Sequence, residues 1–535
     1  MVSSLLVDAL TDPTESLLQF YRSTHNRELL GESVSKYFND IFLSQNAFEE
    51  IPVLDIHHPP ECLKSRALVR FDSMVQDTSC PSEIYLAQRA NGDCGGWGLN
   101  DVDEHASQDD ILDYSLLQEC GVVWATSIPG QSEWLLRAPA QALSTAPTSA
   151  QPHKYPIPGA PHVGAQIKIY DSHILESLRA TDLYSFIGIL TSEPLHSPIE
   201  SQEVALVPTI HLLFARPIPP TVVPRIFPDH SLVGVEDVRD KLVSWMATEA
   251  LAGDRAAAEL VLLTIIHKVQ SRTPPLLPLS LTLSGYGQCS GSTPKIAEVL
   301  RHLVPLCTVL PLSLDNLNAT SYNPESKEEN LHSGWLQLPK GSLCIVSETA
   351  MNEGSVTEKG LLNLRQIQDM INMQTLDYVF PFSRYTFETD VTFLVIAGGN
   401  RSAFFKTHLE VPVRDAEGKA PAATELASSE TAIQLPPPEL LNQFRQLIGG
   451  AKISSVGLDG STAEFIQDDF VKERQAAQSH KNVGKAEGMV TSDDLIIRMM
   501  VAKTMAASLH RTEVSAEIWE RAKWLENLRQ TRVST

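Results

Sequence analysis

The chain has 535 residues, 43% of them hydrophobic, and a formal net charge of −23. This length and apolar content predict several domains with sizeable cores, and they exclude a chain that is mostly disordered. The excess of carboxylates argues against direct, sequence-specific binding of DNA, because affinity for a polyanion comes largely from neutralising its phosphates.

The first 60 residues are predicted to be helical, because their apolar side chains recur at spacings of three and four. Residues 61–137 alternate as β-strands, and the same pattern resumes over residues 164–225. Between them, residues 138–163 carry many prolines and alanines and are predicted to be a flexible linker. Two β segments on either side of a linker predict one barrel of OB type (the oligonucleotide/oligosaccharide-binding fold) with a long insertion.

A barrel of this type can bind single-stranded nucleic acid through stacked aromatic side chains and a basic groove. Basic residues are few in this region, so a protein-contact or spacer role is favoured and single-strand binding is the alternative. Within the barrel, residues 83–88 are expected to pair with the strand at residues 66–76.

Residues 226–410 are predicted to be a helical connection and then a parallel α/β core, because strands alternate with helices there. The predicted core strands are residues 279–284, 309–312, 333–338, 342–346 and 391–397. Residues 411–438 are rich in alanine and proline and are predicted to be a flexible spacer. Residues 439–535 are predicted to form a helical, lid-like domain, in which Thr491 and Asp494 have the spacing of a capping box.

The seven cysteines are odd in number and form no C-x-x-C pair, so neither a metal site nor a disulfide framework is expected. The N-terminal segment has no basic region and only a short apolar run, which argues against a signal peptide. No run of 18 apolar residues occurs, so we expect no membrane span.

Residues 279–300 have the order strand, glycine-rich loop and helix that is typical of a phosphate-binding P-loop. The loop contains Gly285, Gly287 and Gly291, but these glycines do not have the P-loop spacing. Ser292 follows the last glycine, where a P-loop has the lysine that reaches the β- and γ-phosphates. The sequence therefore predicts the scaffold of a nucleotide hydrolase without its phosphate-binding chemistry.

A P-loop enzyme also needs an aspartate at the end of a second strand to hold Mg²⁺. Here the strand at residues 342–346 is followed by Ser347 and Glu348, and a hydroxyl cannot replace the charge of that carboxylate. Asn400 stands where such enzymes place a polar sensor. We predict that the glycines, Ser292, Glu348 and Asn400 are inactive and that the chain has no catalytic residue and no cofactor. The alternative is weak nucleotide binding or slow hydrolysis that uses Glu348 and Asn400.

The last predicted helix, residues 515–532, combines an apolar stripe with a basic end. Trp519 and Trp524 are candidate anchors for a partner, since tryptophan is enriched at interface hot spots. The alternative, which we favour, is that both tryptophans are core residues. Arg521, Arg529 and Arg532 are further candidates, and a solvated face with favourable dipole contacts is the alternative for the basic end.

Several stretches resemble the mini-chromosome maintenance (MCM) complex-binding protein family. They include YSFIGILTSEP at residues 184–194, QDDFVKERQ at 467–475, VTSDDLIIRMMVAKTMAA at 490–507 and IWERAKWLENLRQTR at 518–532. No single stretch is a strong signature, but their number and order cover most of the chain from about residue 66.

The resemblance implies a nuclear, non-catalytic partner of the MCM replicative helicase subunits that reaches chromatin indirectly. It also implies roles in the assembly, stability or unloading of MCM complexes, in DNA replication and in sister-chromatid cohesion. The implied architecture is a helical N-terminus, an OB-like domain, a degenerate AAA-type core and a helical lid.

Overall fold

Short helices open the computed structural model, in the order α1 (Ser4–Thr11), α2 (Pro13–Ser23), α3 (Leu30–Ile41) and α4 (Gln45–Glu49). Asp12 and Ser44 cap α2 and α4 with side-chain oxygens. Their apolar side chains pack on the strands that follow, and Phe42, directly after α3, stacks on Phe214 with ring centroids 6.0 Å apart. The structure describes the chain except residues 1–3, 25–29, 89–93, 100–113, 137–150, 196–205, 288–292, 329, 416–417, 423–425, 427–431, 482–490 and 535.

Six strands and one short helix follow. They are β1 (Leu68–Asp77), β2 (Glu83–Leu86), β3 (Leu117–Ser127), β4 (Gly164–Ile169), α5 (Ser172–Ser177), β5 (Leu183–Pro194) and β6 (Leu206–Pro217). Five of the strands close a ring in the order β1–β3–β4–β6–β5–β1. All pairs in the ring are antiparallel except β4 and β6, which are parallel. The predicted pairing of residues 83–88 with the first strand is wrong, because β1 already has β3 and β5 on its two edges and β2 pairs with β3.

The second half of the predicted linker packs against the rest of the protein. Lys154 is buried, and its Nζ donates to Asp77 Oδ2 at 2.9 Å and to the carbonyl oxygen of Leu331 at 3.4 Å. Tyr155 and His162 are also buried and stack on one another. Residues 151–163 are therefore not a flexible linker, and residues 138–150 lie outside the described part of the chain.

A parallel sheet forms the centre of the chain. It is preceded by α6 (Val235–Ala250), α7 (Arg255–Ile266) and a two-stranded turn of β7 (Ser271–Arg272) and β8 (Pro275–Leu276). The elements that follow in chain order, which include strands of a second sheet, are β9 (Leu281–Ser284), α8 (Lys295–Leu303), β10 (Cys307–Pro311), α9 (Leu314–Ala319), β11 (Glu325–Lys327), β12 (Asn330–His332), β13 (Leu343–Ser347), α10 (Glu358–Met373), β14 (Thr375–Phe380), β15 (Ser383–Glu388), β16 (Thr392–Ile396) and β17 (Leu409–Pro412). The sheet has the order β10–β13–β16–β9–β17, and every pair in it is parallel. Because β17 is one of its strands, the sheet continues past the predicted boundary at residue 410.

The predicted strand at residues 333–338 is wrong. This segment is a loop whose apolar side chains belong to a second core, and its backbone bonds to an earlier loop, for example from Leu336 N–H to the Tyr322 carbonyl. Gln337 fixes the loop, because its Nε2 donates to the carbonyl of Gln76 and to the hydroxyl of Tyr378. A separate sheet with the order β12–β11–β14–β15 lies beside it and was not predicted.

The C-terminal part is helical, as predicted: α11 (Pro438–Ile453), α12 (Gly460–Lys481), α13 (Ser492–Ser508) and α14 (Ala516–Ser534). The capping box of Thr491 and Asp494 is confirmed. One apolar cluster contains side chains of the sheet and of all four helices, such as Leu283, Leu447, Ile466, Met505 and Trp519. The chain is thus a mixed α/β protein of several domains whose C-terminal helices share a core with the parallel sheet. Nowhere in the described ranges is there a helix with the length and apolarity needed to cross a bilayer.

Candidate functional site

The carboxyl ends of β9, β13 and β16 meet at one edge of the parallel sheet. The glycine loop after β9 lies against the loop after β16, and three backbone hydrogen bonds join them. These bonds run from Gly285 N to Gly399 O (2.9 Å), from Tyr286 N to Ala397 O (3.2 Å) and from Gly287 N to Gly398 O (2.9 Å).

In a phosphate-binding loop, successive backbone amides converge on the phosphate oxygens. Gly285 and Gly287 have φ angles of +91° and +69°, a conformation that only glycine adopts without strain, and it turns the amides toward the neighbouring loop. Each of the three amides donates to a carbonyl of the protein instead of facing a ligand. Gly291 and Ser292 lie outside the described residues.

Glu348 has its own partners at this edge. Its carboxylate accepts hydrogen bonds from Ser402 Oγ at 2.5 Å and from the Ala403 amide at 3.1 Å. Ser402 Oγ in turn accepts from the Phe405 amide, so Glu348 stabilises the turn that follows β16. Burial raises the pKa of the Glu348 carboxyl. Asn400 is exposed in the same loop.

The position that would carry the Mg²⁺-binding aspartate is Ser347, which is buried and shares a hydrogen bond of 2.9 Å with Thr349 Oγ1. Within the part of the chain that the structure describes, no group of three or more histidine, cysteine, aspartate or glutamate side chains could hold a metal ion. The Glu348 carboxylate at this edge is therefore engaged in holding a turn.

The two candidate tryptophans of α14 lie in different environments. Trp519 is fully buried, its Nε1 donates to Asp469 Oδ2 at 3.1 Å, and the Arg498 guanidinium lies 5.8 Å from its ring. The favoured prediction that Trp519 is a core residue is therefore confirmed, and its alternative as a surface anchor is wrong, because the stripe that carries it faces the core. Trp524 is 59% exposed, so the favoured prediction that it is a core residue is also wrong.

The three candidate arginines of α14 bind acidic groups and backbone of this chain. Arg521 donates to Glu259 Oε1 (3.0 Å), Arg529 to the Glu410 carbonyl (3.2 Å) and Arg532 to Asp254 Oδ2 (2.7 Å). Arg529 also forms an ion pair with Glu526. Only 14% and 21% of the Arg529 and Arg532 side chains are exposed, so these two hold α14 on the core and form little partner surface. The Arg521 side chain is 47% exposed and remains accessible.

Fold and site together define a multidomain α/β protein that combines a closed ring of strands with a parallel sheet, and whose glycine loop is bonded to its own chain. A family model described as mini-chromosome maintenance replisome factor matches residues 136–533, and the chain belongs to that family.

Relatives that carry the name mini-chromosome maintenance complex-binding protein are similar to this chain. The protein of Salmo salar is 27% identical over 430 residues, which cover 73% of this chain and 66% of the relative. The protein of Homo sapiens is 26% identical, over 71% of this chain and 63% of the relative. The chain thus aligns with somewhat less than two thirds of these proteins, whereas the alignment with the protein of Danio rerio, 24% identical, covers 94% of both.

Proposed function

We propose that this chain binds the MCM complex and acts as a non-catalytic partner of its helicase subunits. The observation that carries this proposal is the glycine loop, whose amides at Gly285, Tyr286 and Gly287 donate to the chain's own carbonyls. Phosphoryl transfer relies on preorganised donors and metal-bound charge around the phosphates. A loop closed in this way suits a scaffold for binding, and the names of the relatives supply the binding partner.

The strand orders support finer parts of the proposal. We take the ring of five strands to be an OB-type barrel, because a short helix precedes its closing strands and one pair in it is parallel. We take the parallel sheet to be a degenerate AAA-type core. The glycine loop follows β9, an inner strand that lies between β16 and β17, and a helix follows the loop. The proposed partner surface includes Trp524 and Arg521, which are accessible on α14.

The remaining parts of the proposal concern the cell. The chain acts in the nucleus, reaches chromatin through the MCM complex, and regulates the assembly, stability or unloading of that complex. Roles in DNA replication and sister-chromatid cohesion follow from that activity. The net charge of −23 supports an indirect route to chromatin, because it disfavours direct binding to a polyanion.

Size-exclusion chromatography of the purified protein with each MCM subunit, and with subcomplexes, tests the proposal. We expect co-elution with at least one subunit, to the same extent with and without ATP. A Trp524→Ala variant should co-elute less, whereas Lys36→Gln, a substitution of an exposed residue on α3, should co-elute as the unmodified chain does. Failure to co-elute with any subunit or subcomplex would refute the proposal.

A further inference from the structure

A cleft of about 410 Å³ lies at the opposite edge of the parallel sheet from the glycine loop. The segment after α7 forms one wall and is tied to the start of β16, since Thr392 Oγ1 donates to the carbonyl of His267 at 3.2 Å. The C-terminal end of α11 and one face of α13 form the other walls. A volume of this size is within the range of small-molecule sites in proteins, roughly 300–1,000 Å³.

The cleft is basic although the protein is acidic. Lys268, Lys452 and Lys503 line it, together with the side chains of Ser454 and Ser455, and none of the described residues that line it is acidic. Asp390 acts electrostatically on Lys268 and Lys452, but its Oδ1 is occupied by the Val269 amide at 3.0 Å. Among the described residues, none of the three lysines has a carboxylate within ion-pair distance.

Lys452 is the deepest of the three, with 8% of the residue exposed. Its ammonium group has three N–H donors, and one of them bonds to the Ile265 carbonyl at 3.2 Å in the last turn of α7. Neutralising the C-terminal end of a helix explains that bond. It does not explain why a buried cation has no anion beside it, which is costly in a protein interior. Burial lowers the pKa of Lys452 to about 8, so the group is still mostly charged at neutral pH.

His267 forms the wall of the cleft beside Lys268. It lines the cleft, it is 2% exposed, and its Nε2 atom has no hydrogen-bond partner. Its Nδ1 lies 3.2 Å from the Lys268 carbonyl and donates to it, which leaves Nε2 as an acceptor. Nε2 itself is enclosed by protein, so His267 forms a neutral part of the cleft wall.

We propose that this cleft binds a small molecule that carries phosphate groups. Three ammonium groups supply the charge, and the serine hydroxyls can donate further hydrogen bonds. The proposal is separate from MCM binding, because neither Trp524 nor Arg521 lines the cleft.

Isothermal titration calorimetry of the full chain without Mg²⁺ tests the proposal, with three probes. Inorganic pyrophosphate and ADP should both bind, and citrate, whose charges are carboxylates, should bind more weakly. If pyrophosphate binds but ADP does not, the ligand is an inorganic phosphate or one without a base. If no phosphate probe binds at millimolar concentration, or if citrate binds as tightly, the proposal is wrong.

Variants locate the site. Lys503→Gln and Lys268→Gln should each weaken pyrophosphate binding about tenfold, whereas the matched substitution Lys36→Gln on α3 should leave it unchanged. Lys452→Met should abolish binding while the melting temperature of the free protein stays the same or rises, because a buried unpaired charge is removed. Since Lys268 and Lys503 are only half-buried, their variants keep the test valid if Lys452→Met does not fold. Equal binding by all variants would place the probe elsewhere and overturn the proposal.

Discussion

Replacing Asp254 by alanine is expected to loosen three parts of the protein at once. This buried carboxylate caps α7, because its Oδ1 accepts from the amides of Ala256 at 3.1 Å and Ala257 at 3.0 Å. Its Oδ2 accepts from the Arg414 amide at 3.0 Å, just after β17, and from Arg532 Nη1 at 2.7 Å near the end of α14. One side chain thus joins a helix, the edge of the sheet and the C-terminal helix.

The magnitude follows from these contacts. Loss of a helix cap costs about 1 kcal/mol. Removal of one partner from a buried ion pair costs about 3–5 kcal/mol, and the lower end applies because a fifth of the Arg532 side chain is exposed. The two effects together predict that Asp254→Ala lowers the free energy of unfolding by about 4 kcal/mol.

Urea unfolding followed by circular dichroism measures this effect. The control is Thr491→Ala, which removes an exposed cap from α13 in the same part of the protein and should cost about 1 kcal/mol. A double-mutant cycle with Arg532→Met should give a coupling of about 1–3 kcal/mol between the two side chains. A loss no larger than that of Thr491→Ala, or a coupling below about 0.5 kcal/mol, would show that the reasoning is wrong.

Three further predictions concern the tryptophans, the glycine loop and the barrel. Trp519→Ala should lower the free energy of unfolding by about 3–5 kcal/mol, whereas Trp524→Ala should leave it within about 0.5 kcal/mol, as denaturant titration would show. Phosphate release from Mg-ATP should stay at background and be the same in Glu348→Gln; release that falls in the variant would contradict our account of the loop. Burial alone would raise the pKa of Glu193, but hydrogen bonds from His211 and Lys168 outweigh it and hold this pKa at about 2, below its value in the unfolded chain. Glu193 therefore contributes stability above about pH 4.5 that is lost as the pH falls toward 2. Between these pH values, denaturant titration of Glu193→Gln should show a free energy of unfolding that depends less on pH than that of the unmodified chain.

Local pattern predicted much of the secondary structure. The strands of the ring and most strands of the parallel sheet followed from alternation and apolar runs, and the C-terminal helices followed from helical periodicity and the cap at Thr491. The segment at residues 333–338 has the same apolar character as a strand, but it is a loop because contacts of Gln337 with distant residues decide its path. Pattern alone cannot separate these two cases.

The contacts of charged side chains could not be predicted in the same way. Arg532 and Asp254 are separated by 278 residues, and Lys154 and Asp77 by 77, with no spacing rule that links either pair. Composition made the arginines of α14 look like a basic surface, whereas the fold places an acidic partner against each of them. Similarly, the three lysines of the basic cleft are scattered over more than 200 residues and are brought together only by the packing of helices on the sheet.

The position of α14 has a consequence for self-association. β17 is the last strand on its side of the parallel sheet, and α14 packs beside it, with Arg529 donating to the carbonyl of Glu410 within that strand. Unprotected outer strands are templates on which a second chain can add a strand of its own. We therefore expect the C-terminal helix to hinder strand addition at this edge, and we expect a chain that lost it to aggregate through β17 before the rest of the sheet unfolds.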